Sequence, residues 1–124
     1  FYGNYLLGHK LNKNISLTLK FEKYPRGSSD YAECIWKYEN HCSRDFEITI
    51  DRRLCRRELL LALAHEMVHV KQHAKGELTD KGSHLRYNGA SYDHYNMEYW
   101  DFPWEIEAYG KEKGLYFRFL ESEV

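Results

Sequence analysis

The sequence predicts an α+β fold: a three-stranded antiparallel sheet packed on one long helix, then a hairpin or loop region, then a second helix. Three observations carry this. Alternating apolar and polar residues recur in short runs between Ile15 and Ile50, the mark of strands with one buried face. Residues 56–73 are rich in Leu and Ala and hold neither Pro nor Gly, which favours a helix. After Gly76 the chain turns polar and weakly periodic until Asp101-Phe102-Pro103, where Asp101 is expected to cap a second helix with proline in its first turn.

The elements follow in order. Apolar residues at positions 1, 2, 5 and 6 suggest the end of a helix over residues 1–10. Ile15, Leu17, Leu19 and Phe21 alternate with polar residues and predict a first strand over 15–21. Residues 25–30, Pro-Arg-Gly-Ser-Ser-Asp, form a turn cluster. Residues 31–38 predict a second strand, 39–41 a turn, and 44–50 a third strand. Short links between the three suggest an antiparallel meander. The long helix is expected to stop at Lys75-Gly76, because glycine closes helices in the left-handed conformation. Asn88-Gly89 within 85–92 is a strong hairpin signal. The second helix is expected to end at Gly114, with the tail 115–120 helix or strand.

The 124 residues are expected to fold as one domain, 1–124. Charged residues make up 30% and the net charge is −1, so no electrostatic signature points to nucleic acid or a membrane surface. No run approaches the ~18–20 apolar residues of a membrane span, and no basic-then-apolar leader is seen. The start at Phe1 rather than Met leaves open whether the N-terminus is trimmed. Cys34, Cys42 and Cys55 are odd in number and lack CxxC spacing. Free thiols in a reducing cytoplasm are therefore expected, the alternative being a Cys34–Cys42 bridge across a hairpin. The high aromatic content, 16% with eleven tyrosines, favours a tyrosine-lined surface or cleft.

One motif dominates. His65-Glu66-Met67-Val68-His69 is an HExxH pattern inside the predicted long helix. Residues i and i+4 lie on one helix face, so two imidazole nitrogens can converge on one ion at about 2.0–2.1 Å. Glu66 then stands where a carboxylate can take a proton from a metal-activated water. A buried helix with this polarity needs a reason for it, since unpaired buried polar groups are costly. A metal supplies that reason.

Catalytic zinc takes three protein ligands as a rule. His73 lies about 12 Å along the axis from His65, too far for the same ion. The second helix offers Glu105 and Glu107, which point different ways. Glu107 stands four before Lys111 and is expected outward in an ion pair. Glu105 lies beside the side formed by Phe102, Ile106 and Tyr109, expected to face inward. The expected ligand set is therefore His65, His69 and Glu105, with Glu107, His84 and His94 as alternatives for the third place.

The segment HEMVHVKQH, followed some forty residues later by Pro103-Trp104-Glu105-Ile106-Glu107-Ala108, resembles the small gluzincin metallopeptidases, including SprT-like and phage-encoded single-domain members. The resemblance covers residues 59–76 and 100–114. It implies a minimal zincin fold and a third ligand from a Glu-x-x-Ala type motif, matching Glu105 and Ala108. Many such proteins carry an Asp four residues after the ligand glutamate to orient a histidine. Here Tyr109 stands in that place. SprT-type members use a third histidine, which keeps His84 in play.

The expected function is that of a zinc-dependent metallopeptidase, an endopeptidase with Zn²⁺ on His65, His69 and Glu105 and with Glu66 as general base. A protein or peptide substrate is the expected partner, pairing along the edge of the sheet at strand 44–50. No membrane or nucleic-acid partner is expected, and the chain is expected to be a monomer. The expected compartment is the cytoplasm, the host's if the chain is phage-encoded. Two alternatives compete: a non-catalytic, metal-stabilised interaction module, and an SprT-like protease acting on DNA-bound proteins. Tyr87, Tyr92, His94, Tyr95 and Tyr99 are candidates for stabilising an oxyanion. Arg44, Arg52, Arg53, Arg56 and Arg57 are expected to form a salt-bridged surface with Asp45, Glu47, Asp51 and Glu58.

Overall fold

The computed structural model describes residues 1–25, 31–36 and 43–123. Two short helices, α1 (Tyr2–Leu7) and α2 (His9–Asn12), lead into strands β1 (Ser16–Glu22), β2 (Ala32–Trp36) and β3 (Asp45–Asp51). The long helix α3 (Arg56–Ala74) follows, then β4 (Leu78–Asp80), β5 (Leu85–Tyr87) and β6 (Ala90–Tyr92). Two 3-10 turns, His94–Asn96 and Tyr99–Asp101, lead to α4 (Pro103–Ser122). The class is α+β. Among the described residues no helix is long and apolar enough to cross a membrane. Residues 26–30, the turn expected at 39–41, Cys42 and any bridge to it lie outside the described residues; Cys34 and Cys55 are free thiols.

The first sheet is mixed, not an antiparallel meander. Its order is β1-β3-β2, with β3 antiparallel to β2 and parallel to β1. Directions still alternate along the chain, but β2 lies outside β3 instead of between the other two. Short links fix which strands reverse direction; they do not fix which one takes the centre. That place goes to β3, the strand best able to be buried on both faces. Phe46, Ile48 and Ile50 are wholly buried on one side, and Thr49 is buried on the other. The expected peptide-pairing edge at 44–50 is thereby corrected: both edges of β3 are already paired, and among the described residues β2 is the edge strand that packs on α3.

A second correction concerns β1. One buried face was expected, yet all seven residues are exposed. Leu17, Leu19 and Phe21 pair in register with Phe46, Ile48 and Ile50 and so point to the same side. Helix α3 packs on β2 and β3, and β1 lies beyond the strip it covers.

Helix α3 ends as expected. Lys75 remains helical, Gly76 takes φ +71°, and its amide donates to the His73 carbonyl. Arg44 donates to the free Ala74 carbonyl at 2.7 Å, which satisfies an end-of-helix acceptor. Of the other arginines, Arg53 pairs with Asp51 at 2.8 Å and Arg56 reaches Glu123 at 3.2 Å.

Asn88 (φ +49°) and Gly89 (φ +86°) turn the β5–β6 hairpin, the positive pair that a type I′ turn requires. β4 adds a third strand, giving the order β4-β5-β6. Helix α4 departs from expectation at both ends. Its N-cap is Phe102 rather than Asp101, and it runs through Gly114 to Ser122. Each interior glycine costs about 1 kcal/mol relative to alanine. Burial of Leu115 and the packing of Phe119 on the core with Tyr2 and Leu6 carry the helix past it.

Candidate metal centre

Helices α3 and α4 make the largest helix–helix contact, and small residues set how close they come. Ala64 on α3 and Ala108 on α4 have no exposed surface. On α4, Glu105, Ala108 and Glu112 follow the i, i+3, i+7 spacing of one face. Carboxylates flank the alanine above and below, within reach of α3.

There His65, His69 and Glu105 come together, their ligand-type atoms all within 4.8 Å of one another. It is the one such grouping among the described residues. His65 Nε2 donates to Glu105 Oε1 at 3.0 Å, and His69 Nε2 meets Glu105 Oε2 at 3.2 Å. Each imidazole nitrogen thus faces a different oxygen of the one carboxylate.

The outer nitrogens are also held. His65 Nδ1 donates to Glu112 Oε2 at 3.2 Å, and His69 Nδ1 donates to Gln72 Oε1 at 2.9 Å. Gln72 has no exposed surface, and its amide donates to the Trp104 carbonyl and to Glu107. Both imidazoles therefore have their Nδ1 hydrogens committed, with Nε2 turned inward, the orientation that ligating histidines take. Tyr109 packs edge-on against His65, the ring centroids 4.4 Å apart. Glu112, one turn further on, is the residue that holds the His65 ring at Nδ1.

Electrostatics reflect the crowding. Burial alone would lower the pKa of His65, but its bonds to Glu105 and Glu112 outweigh burial and hold it at about 9. Burial likewise pushes Glu105 up, and the two histidines bring it down to about 2. Glu66 is different. It is buried, and burial raises its pKa above the usual carboxylate range. Its Oε2 is enclosed and accepts no hydrogen bond from the described residues. Such an orphaned oxygen beside two imidazoles and a carboxylate fits a centre with a bound cation and a water next to it.

The other expected residues are placed elsewhere. Glu107 does not face solvent. It accepts from Lys71, from Gln72 at 2.9 Å, from Tyr87 at 2.9 Å and from Lys111 at 2.9 Å. The Lys111 pair is formed, but as the outer member of a half-buried network that also ties Lys71 to Glu77. Ile106 is 57% exposed, not inward. His84 bonds to Ser83 and stands outside the ligand grouping, as does His94. His73 stacks on Trp36 at 3.8 Å, and burial, reinforced by nearby His69, lowers its pKa to about 4.

A cavity of about 290 Å³ opens over the centre, lined by Tyr31 to Cys34 of the β2 segment, by His65, Glu66, His69 and Glu105, and by Tyr99 and Tyr109. Of the five oxyanion candidates, only Tyr99 lines it. Tyr87 is committed to Glu107, Tyr92 packs on Trp104, and Tyr95 stacks on His94. Tyr31, Glu112 and Gln72 escaped the sequence reading as site residues, and Tyr109 entered it only as a neighbour of Glu105 and as the residue standing in the place of an Asp. For Glu112 the signal was present, since it stands seven residues after Glu105 and so shares its face. Tyr31 carried none, because its place depends on sheet order.

No family model matches this chain, and no curated protein or solved structure matches it at a significant level.

Proposed function

We propose that the chain is a zinc-dependent metalloendopeptidase on a minimal zincin fold. The observation that carries this reading is the buried Glu66 Oε2, unpartnered among the described residues, beside the His65, His69 and Glu105 grouping. A metal that serves only the fold needs no such carboxylate. Two imidazoles and one carboxylate with an open side suit zinc in a catalytic setting.

His65, His69 and Glu105 would hold the ion. When bound, it supplies Lewis acidity and makes water acidic enough to react near neutral pH. Glu66 accepts the proton of the attacking water on Oε2 and returns it to the departing amine. Its raised pKa suits both duties, because a carboxylate too acidic would hold the proton poorly. Tyr99, on the cavity wall, donates its hydroxyl hydrogen towards the developing oxyanion.

The substrate chain pairs with β2. Among the described residues this strand is bonded on one side only, and Tyr31 to Cys34 lie along the cavity. An extended peptide laid on its free edge gains backbone hydrogen bonds while its side chains enter the pockets alternately.

Elemental analysis of the purified protein beside a His65→Ala variant, with casein hydrolysis measured on both, tests the proposal. The parent should hold about one equivalent of zinc per chain and cleave casein, and the variant should do neither. Zinc without hydrolysis would turn the centre into a structural one.

A further inference from the structure

A second cavity of about 290 Å³ adjoins the metal centre and shares Cys34, His69 and Glu105 with the first. The two cavities follow one another along β2. The first is lined by residues 31–34, the second by Cys34 and Trp36. Any chain extended along that strand past the centre would present a side chain to each. The volume is close to the lower end of the ~300–1,000 Å³ of ligand pockets, enough for one bulky side chain.

Its walls are specific in chemistry. Trp36, Trp104, Leu78 and Leu85 give it an aromatic and aliphatic lining. Trp104 is fixed by stacking on Phe102 at 4.8 Å, by an edge contact from Tyr92 and by a tilted contact from Tyr87. His94 also lines the cavity, and its Nδ1 is enclosed and has no hydrogen-bond partner among the described residues. Asp80, the one acid of the cavity outside the metal grouping, lies exposed at its lip and already accepts from the Gly82 amide at 2.8 Å. An enclosed nitrogen without a partner costs about 1–3 kcal/mol, and a ligand that satisfies it recovers that cost.

We propose that this cavity is a substrate side-chain pocket selective for tyrosine, with the ring among Trp36, Trp104 and Leu85 and the phenolic hydroxyl paired with His94 Nδ1. The hydroxyl suits either tautomer of His94, because it can donate or accept. Phenylalanine fills the same walls but leaves Nδ1 unpaired, and leucine leaves part of the space empty. Charged side chains would lose water against the two tryptophans. The inference rests on the peptidase reading for the direction of the bound chain, but binding alone can test it.

The test uses blocked pentapeptides Ala-Ala-Xaa-Ala-Ala with Xaa tyrosine, phenylalanine, leucine, arginine or aspartate. Their binding to the zinc-loaded Glu66→Gln protein is measured by calorimetry, and their cleavage by the parent is measured alongside. The tyrosine peptide should bind at least about tenfold more tightly than leucine, arginine or aspartate, and about five- to tenfold more tightly than phenylalanine. His94→Leu in the Glu66→Gln background should erase the gap between tyrosine and phenylalanine but keep the aromatic preference. Equal binding of tyrosine and phenylalanine overturns the pocket without any variant at His94, as do a preference for arginine or aspartate and a gap that survives His94→Leu. Selective binding without cleavage by the parent keeps the pocket and removes the peptidase. Cleavage of all five at equal rates does the reverse.

Discussion

Glu112 accepts a hydrogen bond from His65 Nδ1 at 3.2 Å, while Glu105, two turns earlier on the same helix, meets His65 Nε2 at 3.0 Å. A single imidazole is thus clamped between two carboxylates whose residues are spaced by about 10.5 Å of helix rise along α4. The inner one belongs to the ligand grouping, and the outer one sets the ring's orientation and proton position. Removing the outer carboxylate should weaken metal binding without abolishing it. Glu112→Ala is expected to lower zinc affinity about 10–100-fold, read by titration against a competing chelator. Unchanged affinity would mean that Glu112 is only a surface charge.

Glu107 should behave in the opposite way. It gathers Lys71, Gln72, Tyr87 and Lys111, and those bonds outweigh the upward push of burial to hold its pKa at about 2. Glu107→Gln should cost about 2–3 kcal/mol of stability, because it leaves half-buried donors poorly paired. Zinc stoichiometry should not change. Urea unfolding and metal analysis of the same sample separate the two effects. Loss of zinc with full stability would show that the wrong glutamate has been assigned to the centre.

How much of this was open to sequence reading depended on the range of the interaction. The pairing of His65 with His69 and the end of α3 at Gly76 are local, governed by the pitch of one helix and the backbone freedom of one residue. The side of α4 on which Glu105 falls was legible from the helical net, but the surroundings were not. Ile106 is exposed and Glu107 half-buried, because β5 supplies Tyr87 and α3 supplies Lys71. The order of the first sheet was illegible for the same reason. Turn lengths carry strand direction, while the central place of β3 depends on which strand α3 can cover. Leu17, Leu19 and Phe21 alternate as well as any buried strand does, yet they remain exposed.

Stability should fall as the solution is acidified through the range set by His73. Burial, with His69 nearby, brings its folded pKa to about 4 from 6.5. Between those values the unfolded chain binds the proton and the folded chain does not. The contribution is therefore fully present above pH 6.5 and is lost as pH falls towards 4, amounting to up to about 3 kcal/mol. Urea midpoints taken across this range, followed by tryptophan fluorescence because Trp36 stacks on His73, should slope less in a His73→Phe variant. Equal slopes would remove His73 as the cause.

In the proposed reaction Tyr99 would supply the hydroxyl donor. It lines the cavity, and its oxygen lies 3.2 Å from that of Tyr109. Tyr99→Phe should keep zinc and lower kcat about 10–100-fold with little change in KM, since a bond formed mainly to the developing oxyanion is the one lost. A rise in KM at constant kcat would make Tyr99 a binding residue instead.

The most direct test of the account is hydrolysis by Glu66→Gln at matched zinc content. The substitution keeps size and touches none of the three expected ligands, but an amide cannot take a proton from water. The account predicts the parent's zinc content and unfolding midpoint, with casein hydrolysis reduced by at least about two orders of magnitude. Cleavage by zinc-replete Glu66→Gln at the parent's rate would contradict it.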